Sequence, residues 1–134
     1  MKTKKPQSNP QTSKYGLKKR IRSFGYAFRG MYELVRHEPN AQIHFIAAIG
    51  AVVAGFVLKI SALEWCAVIV CMAVVFAAEA FNTVIEKLVD HLFPEYHDTA
   101  RIAKDVAAGA VLFCAIGALL VGVIIFGPKV WVLF

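Results

Sequence analysis

The sequence predicts an all-α membrane protein with three transmembrane helices and an N-terminal amphipathic surface helix. Of its 134 residues, 58% are hydrophobic, and the mean hydropathy is +0.59. Three segments contain no Asp, Glu, Lys or Arg: residues 39–58, 65–78 and 106–128. Because a helix needs about 20 residues to cross a bilayer, a chain of this length has room for only a few spans. We expect one small integral membrane domain.

The N-terminal region is expected to form a tail and then the surface helix. Residues 1–15 are polar and basic, which predicts a disordered basic tail before a membrane domain of residues 16–134. From Leu17 to Arg36, apolar residues recur at steps of three and four, and most basic residues fall elsewhere on the helix. This pattern is typical of a basic amphipathic helix on a membrane surface. Pro39 is expected to mark its end.

The membrane spans are predicted at residues 40–58, 64–86 and 105–127. The link Lys59–Glu64 is so short that the first two spans should be antiparallel neighbours. The second helix should continue past the bilayer to about Leu92, because Pro94 stops it. The third helix is expected to start near Ala100 and to end at Gly127–Pro128.

The basic residues predict the orientation of these spans. Nine Lys or Arg residues precede the first acid, so the N terminus should be cytoplasmic. With three spans, thirteen basic residues fall on the cytoplasmic side and two, Lys59 and Lys129, on the far side. The net charge of +6 therefore indicates topology and contact with membrane lipids, and no nucleic-acid partner is predicted.

A row of carboxylates follows the apolar part of the second span. Glu79, Glu86 and Asp90 fall within about 20° of one line on a helical wheel, and Asn82 flanks that line. Residues 65–78 are too few to cross a bilayer, so Glu79 should lie inside the membrane edge. Acids near hydrocarbon are costly unless paired, hydrated or bound to metal, which makes this row a candidate functional site. The alternative is a helix that has left the bilayer and shows a solvated face.

The side chains near the cytoplasmic interface match the needs of Mg²⁺-dependent phosphoryl transfer. Mg²⁺ prefers one or two carboxylates plus phosphate oxygens, which Glu38 and Glu86 could supply. Lys104 could meet phosphate oxygens as a point charge. Glu79 could accept the proton of a lipid alcohol that reaches it from the bilayer. The glycine-rich and catalytic-loop motifs of soluble nucleotide enzymes are missing from the sequence, which excludes a soluble-kinase fold.

Two other functions leave parts of this pattern unexplained. A small proton-coupled transporter would use Glu79 at membrane depth but would give Glu38, Lys104 and Asp105 no task. A noncatalytic adaptor would use the basic helix to bind anionic lipids but would leave the aligned acids unexplained.

Three helices cannot easily enclose a polar site, so a homo-oligomer is expected. The small residues 107–110 would allow close helix approach.

Several short motifs at fixed separations resemble the prokaryotic diacylglycerol kinase and undecaprenol kinase family. The motifs are Ser23-Phe-Gly-Tyr26-Ala-Phe-Arg-Gly30, Glu38-x-Asn40-x-x-x-His44, Glu79-x-x-Asn82-Thr83-x-x-Glu86-x-x-x-Asp90, His97, and Lys104-Asp105-x-Ala107-Ala108-Gly109-Ala110-Val111-Leu112. The similarity covers roughly residues 19–126. It implies a homotrimer in a bacterial inner membrane, with composite sites at the cytoplasmic interface where ATP directly phosphorylates a lipid hydroxyl.

The resemblance also implies roles for individual residues. Glu79 would be the catalytic base, Asn82 would order the site, and Glu38 and Glu86 would hold the divalent metal. The ATP contacts would be Lys19, Tyr26, Glu38, Glu86, Glu95, His97, Lys104 and Asp105. Lys19 stands where members of the family often have arginine. The lipid contacts would be Glu79, Phe24 and Ala108.

Three points stay open at the level of sequence. The form of the Glu38–His44 segment resembles the branch that prefers undecaprenol, but both undecaprenol and diacylglycerol present a hydroxyl at the interface. Asp90 could be a structural support at the helix exit or a part of the site. His44, on an otherwise apolar span, is interpreted as a buried histidine that makes one structural hydrogen bond.

Overall fold

The computed structural model describes residues 11–132, with side chains for residue 16 and from residue 18 onward. The four α-helices in this range are α1 Gln11–His37, α2 Pro39–Val57, α3 Ala62–Leu92 and α4 Asp98–Trp131, and this range contains no strand. Helices α2, α3 and α4 are long and apolar enough to cross a membrane. The predicted all-α fold with three spans after an N-terminal helix is therefore confirmed.

Helix α1 begins earlier than the sequence periodicity indicates. It starts at Gln11, whereas the amphipathic pattern starts at Leu17. The part of α1 up to Glu33 belongs to a compact unit of its own. The first ten residues of the predicted basic tail lie outside the described residues. The disorder of the tail and the surface position of α1 both stay predictions.

From Leu34 onward the chain forms a second unit, in which α3 and α4 pack along each other most extensively. Helix α2 contacts α3 over a shorter stretch and contacts α4 least. The junction before α2 is fixed by Glu38 and Pro39. Glu38 has an extended backbone, with φ −103° and ψ 114°, and Pro39 occupies the first turn of the helix. This is the conformation that a residue before proline favours, and proline suits the start of a helix.

A tight turn joins α2 to α3 at the other end of the unit. Lys59 takes a positive φ of 50°, and the amide of Ile60 donates to the Gly55 carbonyl at 3.1 Å. Ser61 then caps α3: its hydroxyl accepts from the Glu64 amide at 3.3 Å, and the Glu64 carboxylate accepts from the Ser61 amide at 2.7 Å. This reciprocal capping satisfies two amides that the helix start would leave unpaired.

Apolar packing and one ion pair hold this end together. Ile60, Val68 and Ile125 form a buried cluster against which Trp65 packs. The Lys129 ammonium group lies 3.0 Å from the Glu64 carboxylate. Since Lys129 is in the last turn of α4 and Glu64 in the first turn of α3, the pair ties the two helix ends.

Helices α3 and α4 are both longer than one bilayer crossing. The 31 residues of α3 extend for about 46 Å, more than a hydrocarbon core of about 30 Å. Helix α3 ends at Leu92, two residues before Pro94, as expected. The end predicted for the third helix at Gly127–Pro128 is wrong, because α4 continues through Pro128 to Trp131. The ion pair of Lys129 with Glu64 ties this last turn to α3, and proline is tolerated within membrane helices. The limits of the membrane-embedded parts stay a prediction.

Candidate active site

The polar residues of α3 are buried in the single chain. Glu79 is 2% exposed, Asn82 4% and Thr83 7%, and they are the buried polar or charged residues in the described range. Ala41 on α2 and Ala107 on α4 are also buried, since small residues allow the helices to approach closely. The first turn of the acid row is therefore not a solvated face, and its depth in the bilayer stays a prediction.

Two oxygen atoms of this buried group lack a hydrogen-bond partner within the part of the chain that the structure describes: Glu79 Oε2 and Asn82 Oδ1. The Asn82 amide group does donate, through Nδ2, to Glu86 Oε1 at 3.1 Å. Buried polar atoms in folded proteins nearly always have a hydrogen-bond partner. Two buried acceptors without one therefore indicate a place for a donor or a cation from outside the chain. The sequence predicts the catalytic base and the residue that orders the site at these two positions.

Side chains from two helices surround the Glu79 carboxylate. His44 on α2, Glu86 on α3 and Glu38 before α2 all lie close enough to interact with it electrostatically. The packing of α2 against α3 thus gathers both predicted metal ligands and the predicted base into one neighbourhood. His44 is half-buried here. The interpretation of His44 as a structural histidine did not anticipate its electrostatic link to Glu79.

Ion pairs surround this cluster on its more exposed side. Lys87 Nζ lies 2.8 Å from Glu38 Oε1, and Lys104 Nζ lies 2.8 Å from Asp90 Oδ1. The Lys104 ammonium group also interacts favourably with the Glu86 charge. The sequence left open whether Asp90 is a structural support or a part of the site. In the structure its side chain connects α3 to Lys104 on α4.

The other predicted site residues are more dispersed. Asp105 accepts from Arg101 at 2.8 Å on the same helix, and the ring of His97 lies against Phe93 with centroids 5.2 Å apart. Glu95 and Ala108 are exposed. Three further predicted contacts, Lys19, Phe24 and Tyr26, lie on α1 in the separate N-terminal unit. Their roles stay predictions.

Sequence reasoning missed Lys87 altogether. Lys87 follows a predicted metal ligand, Glu86, and is rotated from it by about 100° on the helix. That rotation directs it toward the start of α2, where Glu38 lies. The sequence does show a lysine beside the acid row. Its pairing with Glu38 could not be predicted, because it depends on how α2 packs on α3.

A large apolar groove adjoins the cluster. It has a volume of about 760 Å³ and is lined by residues of α2, α3 and α4, including Ala47, Ala51, Phe76 and Leu119. His44 also lines it and is the one histidine among otherwise apolar side chains. Since His44 interacts with Glu79, the groove and the buried acid meet at this residue. A hydrocarbon chain fits such a lining.

The donor set suits magnesium better than a metal bound by protein alone. Within residues 11–132, no group of three or more His, Cys, Asp or Glu side chains could hold a metal ion. Mg²⁺ is commonly bound by one or two carboxylates together with phosphate oxygens. Glu38 and Glu86 provide two carboxylates, and the unpaired oxygen atoms of Glu79 and Asn82 are further buried acceptors nearby. The residues therefore fit an ion that also binds a nucleotide.

The fold and the site define a class: a small helical membrane protein in which one buried carboxylate lies beside further acidic side chains. Comparison with known proteins gives the family. Residues 25–126 match the family of prokaryotic diacylglycerol kinases. The chain belongs to this family, which confirms the resemblance inferred from the motifs.

Individual relatives agree with this assignment. The undecaprenol kinase of Bacillus subtilis is 38% identical over 109 residues, which cover 81% of this chain and 89% of the relative. The diacylglycerol kinase of Synechocystis sp. is 36% identical over 101 residues, covering 75% and 58%. The diacylglycerol kinase of Escherichia coli K12 is 30% identical over 105 residues, covering 78% and 86%. The protein is a membrane lipid kinase, and the transporter and adaptor alternatives are not retained.

Proposed function

We propose that the protein transfers the γ-phosphoryl group of ATP to the hydroxyl of undecaprenol, with Glu79 as the general base and Mg²⁺ as the metal. The observation that carries the proposal is the environment of Glu79. Its side chain is 2% exposed, and its Oε2 atom has no partner within the described residues. An acid buried just after the uncharged stretch of α3, with one oxygen available, suits proton transfer from a lipid alcohol.

The reaction balances with the residues of this cluster. Glu79 accepts the proton of the lipid hydroxyl while the lipid oxygen forms a bond to the γ-phosphorus. The bond from that phosphorus to its bridging oxygen breaks, and ADP leaves with the electron pair. Asn82 fixes the Glu86 carboxylate through its Nδ2 hydrogen bond, so it orders the metal-binding acid relative to the base.

The nucleotide side of the site is proposed on α2, α3 and α4. Glu38 and Glu86 would hold Mg²⁺, which when bound neutralises charge on the phosphates. Lys104, held in place by Asp90, would meet phosphate oxygens. The remaining ATP contacts proposed from the family motifs are Lys19, Tyr26, Glu95, His97 and Asp105.

The apolar groove supports a lipid acceptor with a long hydrocarbon chain. Its lining reaches from His44, beside the site, to Trp131 at the end of α4. We propose that it holds part of the undecaprenol chain and that Phe24 and Ala108 contact the same lipid. The choice of undecaprenol over diacylglycerol is supported by the Glu38–His44 motif. The name and 38% identity of the Bacillus subtilis relative also support it.

The same proposal includes an arrangement in the membrane. The chain lies in the inner membrane of a bacterium. Its N terminus and the span ends that carry the acidic cluster are on the cytoplasmic side, because ATP is available there. A basic tail of residues 1–15 precedes one membrane domain, and three copies of the chain share their sites. Large apolar side chains that are exposed on α3, such as Ile69, Val70 and Phe81, are available to lipid or to other copies.

A lipid phosphorylation assay tests the proposal. The purified full chain is supplied with labelled ATP and Mg²⁺ in mixed micelles that contain undecaprenol or dioleoylglycerol. We expect transfer that depends on lipid and is lost on chelation, with kcat/KM about tenfold or more higher for undecaprenol. Absence of lipid-dependent transfer contradicts the function. Comparable rates for the two lipids contradict the acceptor assignment alone.

A further inference from the structure

Lys87 and Glu38 form an ion pair that joins the start of α2 to α3. The Lys87 ammonium nitrogen lies 2.8 Å from Glu38 Oε1, and the two side chains are 66% and 20% exposed. The acid is thus well shielded from water, whereas the lysine is largely in water. Removing solvent from one partner strengthens the attraction relative to a pair that is fully exposed.

The Glu38 backbone is fixed while its carboxylate is directed away from its own helix. The Glu38 amide donates to the Leu34 carbonyl at 3.0 Å, and the Glu38 carbonyl accepts from the Gln42 amide at 3.1 Å. Gln42 Nε2 also donates to the Arg36 carbonyl at 3.0 Å. Although Glu38 is the cap residue of α2, its side chain makes no capping hydrogen bond. The carboxylate is committed to Lys87 instead.

We propose that Lys87 is a built-in competitor for the divalent cation at Glu38, so that it sets the affinity of the site for the metal. This inference rests on the proposed role of Glu38 and Glu86 as metal ligands. A cation that binds Glu38 displaces the ammonium group from the same oxygen. The lysine side chain is long and already largely hydrated, so it can move into water at little cost.

Two other basic side chains near the cluster are paired with other acids. Lys104 is paired with Asp90, and Arg101 is paired with Asp105. Both pairs lie on the α4 side of the site, whereas Lys87 faces the start of α2. Removing the Lys87 charge therefore leaves Glu38 with a full negative charge, which makes the carboxylate a better ligand for a divalent ion.

The test is direct measurement of Mn²⁺ binding to the purified full chain in detergent micelles by electron paramagnetic resonance, in the presence of a non-hydrolysable ATP analogue that supplies the phosphate oxygens. We expect Lys87→Met to tighten Mn²⁺ binding by about threefold to tenfold. The substitution removes the partly shielded ion pair that competes for Glu38 and the repulsion between the lysine ammonium group and the metal ion. Lys87→Arg, which keeps the charge, should bind Mn²⁺ as the unsubstituted protein does. Glu38→Gln should weaken binding in every background.

Lys129→Met is the matched control, because it breaks an ion pair of similar length, 3.0 Å, at the other end of α3. It should leave Mn²⁺ binding unchanged. Binding that depends on Glu38 but is unchanged or weakened by Lys87→Met overturns the inference and leaves the metal site intact. Binding that does not depend on Glu38 in any variant overturns both the metal site and the inference.

Discussion

The ammonium group of Lys104 on α4 lies 2.8 Å from the carboxylate of Asp90 on α3. The two residues are 14 positions apart, and the loop between α3 and α4 separates them. Because Lys104 also interacts favourably with Glu86, Asp90 holds a cation beside the proposed metal ligand. We therefore propose that Asp90 positions Lys104 for the nucleotide side of the site.

Asp90→Asn is expected to raise the KM for ATP about twofold to fivefold with little change in kcat. The effect is small because an exposed ion pair contributes little free energy. The lysine keeps its charge but loses the group that orients it. Steady-state kinetics with varied ATP and saturating lipid measure this split. Asp98→Asn, which removes the charge from the acceptor of the Tyr96 hydroxyl at 2.8 Å, is the control and should leave KM unchanged. An unchanged or lower KM in Asp90→Asn contradicts the positioning role.

His44→Leu is expected to lower kcat for lipid phosphorylation by about tenfold or more, within the range typical of lost acid–base support. The substitution removes the polar side chain of α2 that interacts with Glu79 and leaves this acid with Glu38 and Glu86 as its neighbours. The KM for ATP should stay the same, because His44 lies on the lipid side, in the lining of the groove. The same kinetic assay gives both constants.

His91→Leu is the control for His44, since His91 is an exposed histidine near the end of α3. It should retain full kcat. His44→Gln, which keeps a hydrogen-bonding side chain, should recover part of the loss. If His44→Leu turned over as fast as the unsubstituted protein, the electrostatic link between the groove and the base would have no catalytic role.

Gly55→Ala is expected to destabilise the fold by about 1–3 kcal/mol, the usual cost of overpacking a tight contact. A Cβ atom at Gly55 would lie 2.7 Å from the Trp65 ring and 3.1 Å from Ile60. That contact is at the turn between α2 and α3, where the ring also packs on Phe56 at a centroid distance of 4.9 Å. Thermal unfolding of the purified protein in detergent measures the effect.

Gly117→Ala is the matched control in α4, because an added Cβ there meets no atom within 4 Å. It should be neutral or slightly stabilising, since alanine has the higher helix propensity. Equal melting temperatures for Gly55→Ala and the unsubstituted protein contradict the close approach of α2 to Trp65.

Much of the fold could be predicted from local sequence rules. Pro39 and Pro94 mark a helix start and a helix end through their fixed backbone geometry. The spacing of Glu79 and Asn82 puts them on one helix face. The short uncharged stretch before Glu79, which cannot cross a bilayer by itself, predicts that Glu79 lies inside the membrane edge. These features depend on the residues of one helix and its immediate neighbours.

The inter-helix pairs could not be predicted in this way. The pairing of Lys87 with Glu38 depends on the rotation of α3 against α2, which no local pattern in either helix determines. The pairing of Lys104 with Asp90 depends in the same way on the register of α4 along α3. Helix α4 also continues through Pro128, where the local rule for proline predicts an end, and its last turn is tied to α3 by the ion pair of Lys129 with Glu64.

The central claim is that Glu79 is the base for phosphorylation of a lipid hydroxyl. The most direct measurement is the initial rate of undecaprenol phosphorylation by Glu79→Gln. Glu64→Gln, a substitution at the opposite end of α3, is the control and should retain activity. For Glu79→Gln we predict a rate about 10²–10⁴ times lower, the contribution usual for a positioned general base, in protein that remains folded and binds ATP. Unchanged lipid phosphorylation by folded Glu79→Gln would contradict the account.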